Sequence, residues 1–172
     1  MDTGQLDALP RSDAADALAS CCGSSRWVSR MLIRRPFGSL ERVLAEAEEA
    51  WRSLTPSDWL EAFAHHPRIG EQQSETPQGR QAATWSAGEQ SRVTEAAGSV
   101  RQALIEMNRA YEARFGYIYI VCASGRSAEE LLALARARLS HEPKAELLIA
   151  AEEQLKITLL RLRKLLRRSP EP

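Results

Sequence analysis

The most regular pattern of apolar positions lies in residues 40–54. Its apolar side chains recur every three or four residues: Leu40, Val43, Leu44, Ala47, Trp51 and Leu54. This spacing places them on one face of a helix. Ser39 directly precedes the pattern and predicts its N-cap, because a serine oxygen can accept a hydrogen bond from a free N–H of the first turn. We therefore predict an amphipathic helix that begins after Ser39.

Similar start signals predict further helices. Thr55 and Pro56 suit an N-cap and a first helical position, and the helix that they open should end at residues 65–66. Residues 127–130 (Ser-Ala-Glu-Glu) match a capping box, which predicts a helix through Leu139. Other helical segments are expected at residues 12–19, 26–31, 87–113 and 144–167.

Three kinds of segment interrupt the helical pattern. Residues 115–121 are aromatic and β-branched, which favours a strand. No second strand pattern is present to pair with them, so we expect an extended or irregular buried segment. Residues 71–84 are polar and are expected to form a long surface loop, of a kind that often carries function. Residues 1–12 and 168–172 are expected to be loose or flexible.

Together these elements predict an all-α fold. We expect residues 1–172 to form one domain, a helical bundle with a long C-terminal helix and one extended buried segment. The chain has 172 residues, of which 44% are hydrophobic and 27% charged, as in an ordinary globular protein. Its 23 basic and 23 acidic residues cancel, which argues against a nucleic-acid partner.

The expected compartment is the cytoplasm, and a bacterial source is favoured. No apolar run is long enough to span a bilayer, so no membrane partner is expected. The first residues lack the basic and apolar regions of a signal peptide, and the last three form no peroxisomal signal. Cys21, Cys22 and Cys122 match neither a disulfide framework nor a zinc spacing. We expect reduced core cysteines and no metal.

His66 is the first candidate for chemistry. It stands where a predicted helix ends, directly before Pro67, whose φ is fixed near about −65°. An imidazole with a near-neutral pKa can take up and release protons at neutral pH. Alternatively, a histidine here only caps the preceding helix, a role for which the adjacent His65 is the natural candidate. Spacing alone leaves both interpretations open.

Ser86 and Glu89 also allow two interpretations. Ser-x-x-Glu is the capping-box pattern, and the helix predicted after residue 86 needs a cap. The same helix N-terminus offers free N–H groups and a positive potential, which suit an anionic substrate. Glu89 near that end is held ionised, as a base or a hydrogen-bond acceptor requires. The structural and functional roles are compatible.

Arg161 and residues 117–121 complete the candidate set. Ile157, Arg161 and Leu165 share one helical stripe, so the guanidinium is expected to be partly buried and to need a partner. Arg161 is then either a snorkelling or internally paired side chain, or a planar fork that binds a carboxylate or ureido group of a ligand. The extended residues 117–121 would offer backbone groups outside a helix, which suit a flat, amide-rich ligand.

The chain also carries a set of ordered motifs. They are Cys22-Gly23-Ser24-Ser25-Arg26-Trp27, Arg35-Pro36-Phe37, Asp58-Trp59-Leu60-Glu61-Ala62-Phe63, His66-Pro67-Arg68-Ile69-Gly70, Ser86-x-x-Glu89-Gln90, Asn108-x-x-Tyr111, Phe115-Gly116-Tyr117-Ile118-Tyr119-Ile120 and Glu153-x-x-Lys156-Ile157-x-x-x-Arg161-Leu162. Over residues 15–165 the chain thereby resembles the 2-oxo-4-hydroxy-4-carboxy-5-ureidoimidazoline (OHCU) decarboxylases. The order and number of the motifs make the resemblance specific.

This resemblance implies an all-α, cofactor-free decarboxylase that is typically a homodimer. Such enzymes form (S)-allantoin in the last step of urate conversion, on a substrate made by hydroxyisourate hydrolase. The resemblance implies catalytic roles for His66 and Glu89. The substrate-binding residues that we predict with it are Pro67, Ser86, Tyr119, Ile120 and Arg161. Two positions differ from common family members, since Ile118 replaces a proline and His141 replaces an asparagine.

Two other classes of function remain as alternatives. A helical adaptor that dimerises through its last helix would use His66, Ser86 and Glu89 only as separate local caps. A ureide-binding or purine-binding module would have the pocket but no turnover. Replacing His66 would distinguish such a module from an enzyme, because binding would change little and there would be no activity to lose.

Overall fold

The computed structural model describes residues 1–69 and 98–167, together with Thr84, Trp85 and Gly88. Its helices are α1 (Thr3–Ala8), α2 (Arg11–Cys21), α3 (Ser25–Ile33), α4 (Leu40–Arg52), α5 (Pro56–Ala64), α6 (Gly98–Phe115), α7 (Ala128–Arg138) and α8 (Pro143–Leu165). No strand occurs among the described residues. The predicted all-α fold is confirmed, including its long last helix.

The capping residues fix the helix starts that the sequence predicts. Ser39 accepts a hydrogen bond from the Arg42 N–H at 3.2 Å, and α4 begins directly after it. At α7, the Glu130 N–H donates to Ser127 Oγ at 3.2 Å, and the Ser127 N–H donates to the Glu130 carboxylate at 2.7 Å. The capping box is therefore formed in both directions. Helix α5 begins at Pro56 and ends at Ala64, as the sequence predicts.

The N-terminus differs from the expectation of a loose segment. Asp2 and Gln5 form a capping box at the start of α1, and Leu6 is fully buried. The Asp7 carboxylate accepts hydrogen bonds from the backbone of the loop before α4, including one from the Phe37 N–H at 2.9 Å. This six-residue helix is thus held by tertiary contacts, since a helix so short is marginal by itself.

The chain divides into two compact units. Unit 1 contains residues 1–62 and 155–172, and unit 2 contains residues 63–154. In unit 1, α3 contacts α2 and α4, and the Trp27 indole N–H donates to the Ala47 carbonyl at 3.1 Å. Residues 155–165 of α8 contribute their own buried positions to this unit: Leu155, Ile157, Thr158, Arg161, Leu162 and Leu165. The single-domain assignment stays a prediction.

Unit 2 has a hydrophobic core built by α6, α7 and the segment between them. Helices α6 and α7 contact each other, and residues 118–123 adopt neither helix nor strand. Ile118, Tyr119, Ile120 and Val121 are all buried. The prediction of an extended or irregular buried segment is confirmed. The hydrophobic core of unit 2 also includes Ile69, which follows the turn at the end of α5.

Several predictions fall on residues outside the described part. These are Ser86, Glu89, residues 71–83 of the predicted loop, most of the first turns predicted after residue 87, and residues 168–172. Among the described helices, none combines the length and apolar character needed to cross a membrane. Cys21 and Cys22 are buried and Cys122 is half-buried, and none of these three described cysteines forms a disulfide.

Candidate active site

His66 lies in the turn that follows α5. Its backbone N–H donates to the Phe63 carbonyl at 3.0 Å, which closes the turn after the last helical residue. His65 is exposed, whereas His66 and Pro67 are half-buried. Because Pro67 cannot continue the helix, the chain leaves α5 here. The two adjacent histidines therefore have different environments, and His66 has the more enclosed one.

Both sides of the His66 turn contact the extended segment 118–123 or the residue before it. On the N-terminal side, the Phe63 and Tyr117 rings lie 5.4 Å apart. On the C-terminal side, Ile69 is 4% exposed and packs in the same core cluster as Tyr119 and Val121. The fold of unit 2 thus brings the histidine turn and the predicted substrate-binding segment together.

A third contact anchors the turn to α6. The Arg68 guanidinium makes a fork on the Glu112 carboxylate, with Nε–Oε2 and Nη2–Oε1 distances of 3.0 and 2.8 Å. The hydrogen bond and charge of Arg68 hold the pKa of Glu112 below its usual range, against a smaller opposing effect of burial. The fork lies two residues beyond His66 and restricts where the turn can move.

Replacing Arg68 with methionine is expected to lower the free energy of unfolding at pH 7 by less than about 1 kcal/mol, because the pair is partly exposed. The folded pKa of Glu112 is the lower one, so the pair stabilises fully above the ordinary glutamate pKa of about 4.3. Its contribution is lost as the pH falls through the folded pKa. Urea unfolding between pH 7 and pH 2 measures this difference.

The matched control for this prediction is Arg109→Met, which removes an exposed arginine from α6. It should show no comparable pH-dependent difference from the unchanged chain. In the proposed enzyme, Arg68→Met should also lower kcat/KM, since the turn that carries His66 loses one anchor. A stability difference that persists unchanged to pH 2 would contradict the assignment to the Arg68–Glu112 pair.

The backbone of the extended segment is held by side chains from three helices. The Tyr119 N–H donates to Asn108 Oδ1 of α6 at 3.0 Å. The Ile120 carbonyl accepts from Arg138 Nη1 of α7 at 2.8 Å, and the Cys122 N–H donates to the Glu153 carboxylate of α8 at 2.8 Å. We expected the backbone groups of this segment to be available to a ligand. These three are already bonded, although a carbonyl oxygen can accept a second hydrogen bond.

A buried charged network supports this arrangement, and sequence reasoning missed it. Glu146 at the start of α8 is fully buried and accepts hydrogen bonds from the Tyr111 hydroxyl and from Arg138 Nε, the latter at 2.7 Å. His141 Nδ1 lies 2.7 Å from its other oxygen. Burial, reinforced by the bond to Glu146, raises the pKa of Tyr111 above its usual range. Burial also raises the pKa of Tyr119 to about 12.

Arg161 belongs to unit 1 and is 3% exposed. A guanidinium so deeply enclosed is not a snorkelling side chain, and that interpretation is wrong. Burial raises the pKa of Cys22 to about 11, and a hydrogen bond from Thr158 and the nearby positive charge of Arg161 partly oppose this rise. Arg161 therefore lies close to the segment that follows α2, beside the fully buried Thr158.

These features define an all-α protein in which a half-buried histidine turn is packed against a buried extended segment. The family model described as OHCU decarboxylase matches residues 7–163. The chain therefore belongs to the OHCU decarboxylase family.

Individual relatives agree with this assignment. The chain is 37% identical over 145 residues to the uric acid degradation bifunctional protein TTL of Arabidopsis thaliana, covering 84% of this chain and 45% of that protein. It is 24% identical over 163 residues to a 2-oxo-4-hydroxy-4-carboxy-5-ureidoimidazoline decarboxylase of Haloferax volcanii, covering 92% of each. The chain thus spans less than half the length of the Arabidopsis protein.

A solved structure is similar as well. It is a crystal structure of OHCU decarboxylase in the presence of (S)-allantoin, with 38% identity and a TM-score of 0.75. The match covers 88% of this chain and 97% of that one. The structural match therefore covers a share of the chain similar to that of the family match.

Proposed function

We propose that this chain is a cofactor-independent carboxy-lyase that converts OHCU to (S)-allantoin and CO₂ in urate degradation. Family membership supports the reaction class, and the Haloferax volcanii relative is named for the same decarboxylation. The structural observation that carries the proposal is the position of His66. Its half-buried turn is fixed on both sides against the extended segment, as a proton-handling group beside a bound substrate requires.

The chemistry of the substrate explains why a few side chains suffice to catalyse its decarboxylation. The bond between the ring carbon and the carboxylate breaks, and its electron pair passes into the conjugated imine of the substrate. CO₂ leaves, and a proton then adds on one face of the neighbouring ring carbon, which carries the ureido group, while the hydroxyl on the first carbon loses its proton and becomes the ring carbonyl. The substrate accepts the electron pair itself, so the protein has to orient the carboxylate, stabilise developing charge and deliver one proton.

The proposed roles follow the predicted site. His66 handles the proton beside the carboxylate, and Glu89 fixes the ureido or hydroxyl group. Arg161 binds a polar edge of the substrate with its planar fork. Pro67, Ser86 and the backbone near Tyr119 and Ile120 complete the substrate-binding set. Ser86 and Glu89 lie outside the described residues, so their roles rest on the sequence pattern and the family resemblance.

Circular dichroism of the product tests the function directly. The assay contains urate, urate oxidase and hydroxyisourate hydrolase, with and without this protein at low concentration. Spontaneous decay of the intermediate gives racemic allantoin and no lasting optical signal. A rapid (S)-allantoin signal that depends on this protein is expected. A racemic product in the presence of the folded protein would refute the proposal and favour a binding module.

We further propose that the protein acts as a cytoplasmic homodimer, in a bacterial cell, and is functionally coupled to hydroxyisourate hydrolase. The family resemblance supports the dimer, and the chemistry supports the coupling, because hydrolysis of hydroxyisourate must supply this unstable substrate. Light scattering combined with size-exclusion chromatography measures the oligomeric state. A monomer at assay concentration would contradict the homodimer without affecting the proposed reaction.

A further inference from the structure

The extended segment 118–123 lacks the support that a helix or a sheet gives to its own backbone. Residues 119 and 120 belong to neither a helix nor a strand, so their backbone geometry depends on hydrogen bonds to side chains of other elements. Asn108 holds the Tyr119 N–H, and Arg138 holds the Ile120 carbonyl at 2.8 Å. Arg138 is therefore one of the groups that set the orientation of this peptide.

Arg138 is itself held by buried neighbours. Its side chain is 7% exposed and that of Glu146 is 0% exposed, so the ion pair is shielded from water. Nε donates to Glu146 at 2.7 Å while Nη1 reaches the Ile120 carbonyl. Its guanidinium also lies 4.8 Å from the centroid of the Tyr119 ring, within cation–π range. One guanidinium thus links α8, the Tyr119 ring and the Ile120 carbonyl.

Stability alone does not explain a buried pair of this kind. Apolar side chains of similar volume often stabilise a protein as well as or better than a buried ion pair, because both charges lose their hydration. The planar fork of arginine instead supplies several hydrogen bonds in a fixed geometry. A lysine provides a single charged point and cannot reproduce both the Glu146 and the Ile120 contacts in the same directions.

We infer that Arg138 is a positioning residue for the decarboxylase. Held by Glu146, it fixes the Ile120 carbonyl and thereby the shape of the Tyr119–Ile120 backbone that the substrate contacts. This inference rests on the proposed function. It assigns Arg138 no contact with substrate, because its effect passes through the peptide that it orients. Misplacing a substrate-positioning group by about 1 Å can cost on the order of 10²-fold in rate.

The central experiment compares Arg138→Met with Arg138→Lys and with the matched control Arg136→Met. Arg136 lies on the same helix and is exposed. Steady-state kinetics are measured at a temperature at which equilibrium unfolding shows that each variant is folded. We expect kcat/KM to fall by about 10- to 100-fold in Arg138→Met. Arg138→Lys should recover part of this loss, and Arg136→Met should behave as the unchanged chain does.

A spectroscopic measurement reports the positioning directly. The carbonyl ¹³C shift of Ile120, in protein labelled at isoleucine carbonyls, should change in Arg138→Met and stay constant in Arg136→Met. If Arg138→Met fails to fold, Tyr111→Phe replaces it, since this change removes one bond to Glu146 and keeps both charges. It should shift the Ile120 carbonyl signal in the same direction and lower kcat/KM by a smaller factor.

The outcomes separate this inference from the proposed function. Suppose that the unchanged chain is active and that the Ile120 carbonyl signal shifts in Arg138→Met. If kcat/KM of this variant nevertheless equals that of Arg136→Met, the positioning role is refuted and the proposed function stands. If the unchanged chain is inactive, the proposed function fails, and titration with (S)-allantoin provides the comparison. A raised Kd in Arg138→Met relative to Arg136→Met would then support the role of Arg138, and equal Kd values would overturn it.

Discussion

Replacing His66 with asparagine is expected to lower kcat by about 10²–10⁴-fold, the usual contribution of one acid–base group. Asparagine keeps a planar polar side chain of similar size but does not titrate near neutral pH. The turn itself should survive, because contacts of Phe63, Arg68 and Ile69 anchor it. Measurement of (S)-allantoin formation by circular dichroism, with unfolding curves for both proteins, tests this expectation.

The neighbouring histidine provides a matched control. His65→Asn makes the same chemical change one residue earlier, at an exposed position. It should retain nearly full activity. Near-normal turnover by His66→Asn would rule out the proton-handling role, and an equal loss in both variants would point to damage of the turn. A helical adaptor predicts no turnover for any of these proteins, so the same experiment also tests that alternative.

Local signals in the sequence predict most of the helices. Ser39, Pro56 and Ser127 mark helix starts because caps and first-turn residues act within a few positions of the chain. Helix α1 was missed although Asp2 and Gln5 have capping-box spacing. Its apolar pattern is too short to show periodicity, and its stability comes from contacts such as that between Asp7 and the Phe37 N–H.

The candidate site likewise contains parts that local sequence signals predict and parts that depend on tertiary contacts. The sequence predicts the His66 turn and the buried extended segment, since a His-Pro pair and an unpaired aromatic run are both local patterns. It does not predict the network of Arg138 and Glu146. Arg138 lies in the last turn of α7 and Glu146 in the first turn of α8, where such charges are expected merely to complement helix dipoles. Their pairing depends on how the two helices fold against the core of unit 2.

Arg161→Ala is expected to raise KM by about 10- to 100-fold, at least as much as it lowers kcat. The proposed fork binds polar groups that are present in both the substrate and the transition state, so its loss weakens both alike. Hydrogen bonds to a charged group contribute about 1.5–3 kcal/mol, and each tenfold change in affinity corresponds to about 1.4 kcal/mol. Steady-state kinetics with freshly generated OHCU give both constants.

Two further variants make this prediction specific. Arg161→Lys keeps the charge without the planar fork, so its KM should lie between those of the unchanged chain and Arg161→Ala. Arg163→Ala removes an exposed arginine from the same helix and should leave KM unchanged. A loss of kcat at constant KM would show that Arg161 acts only in the transition state. Because Arg161 is buried, unfolding curves must accompany the kinetics, so that lost binding is distinguished from lost folding.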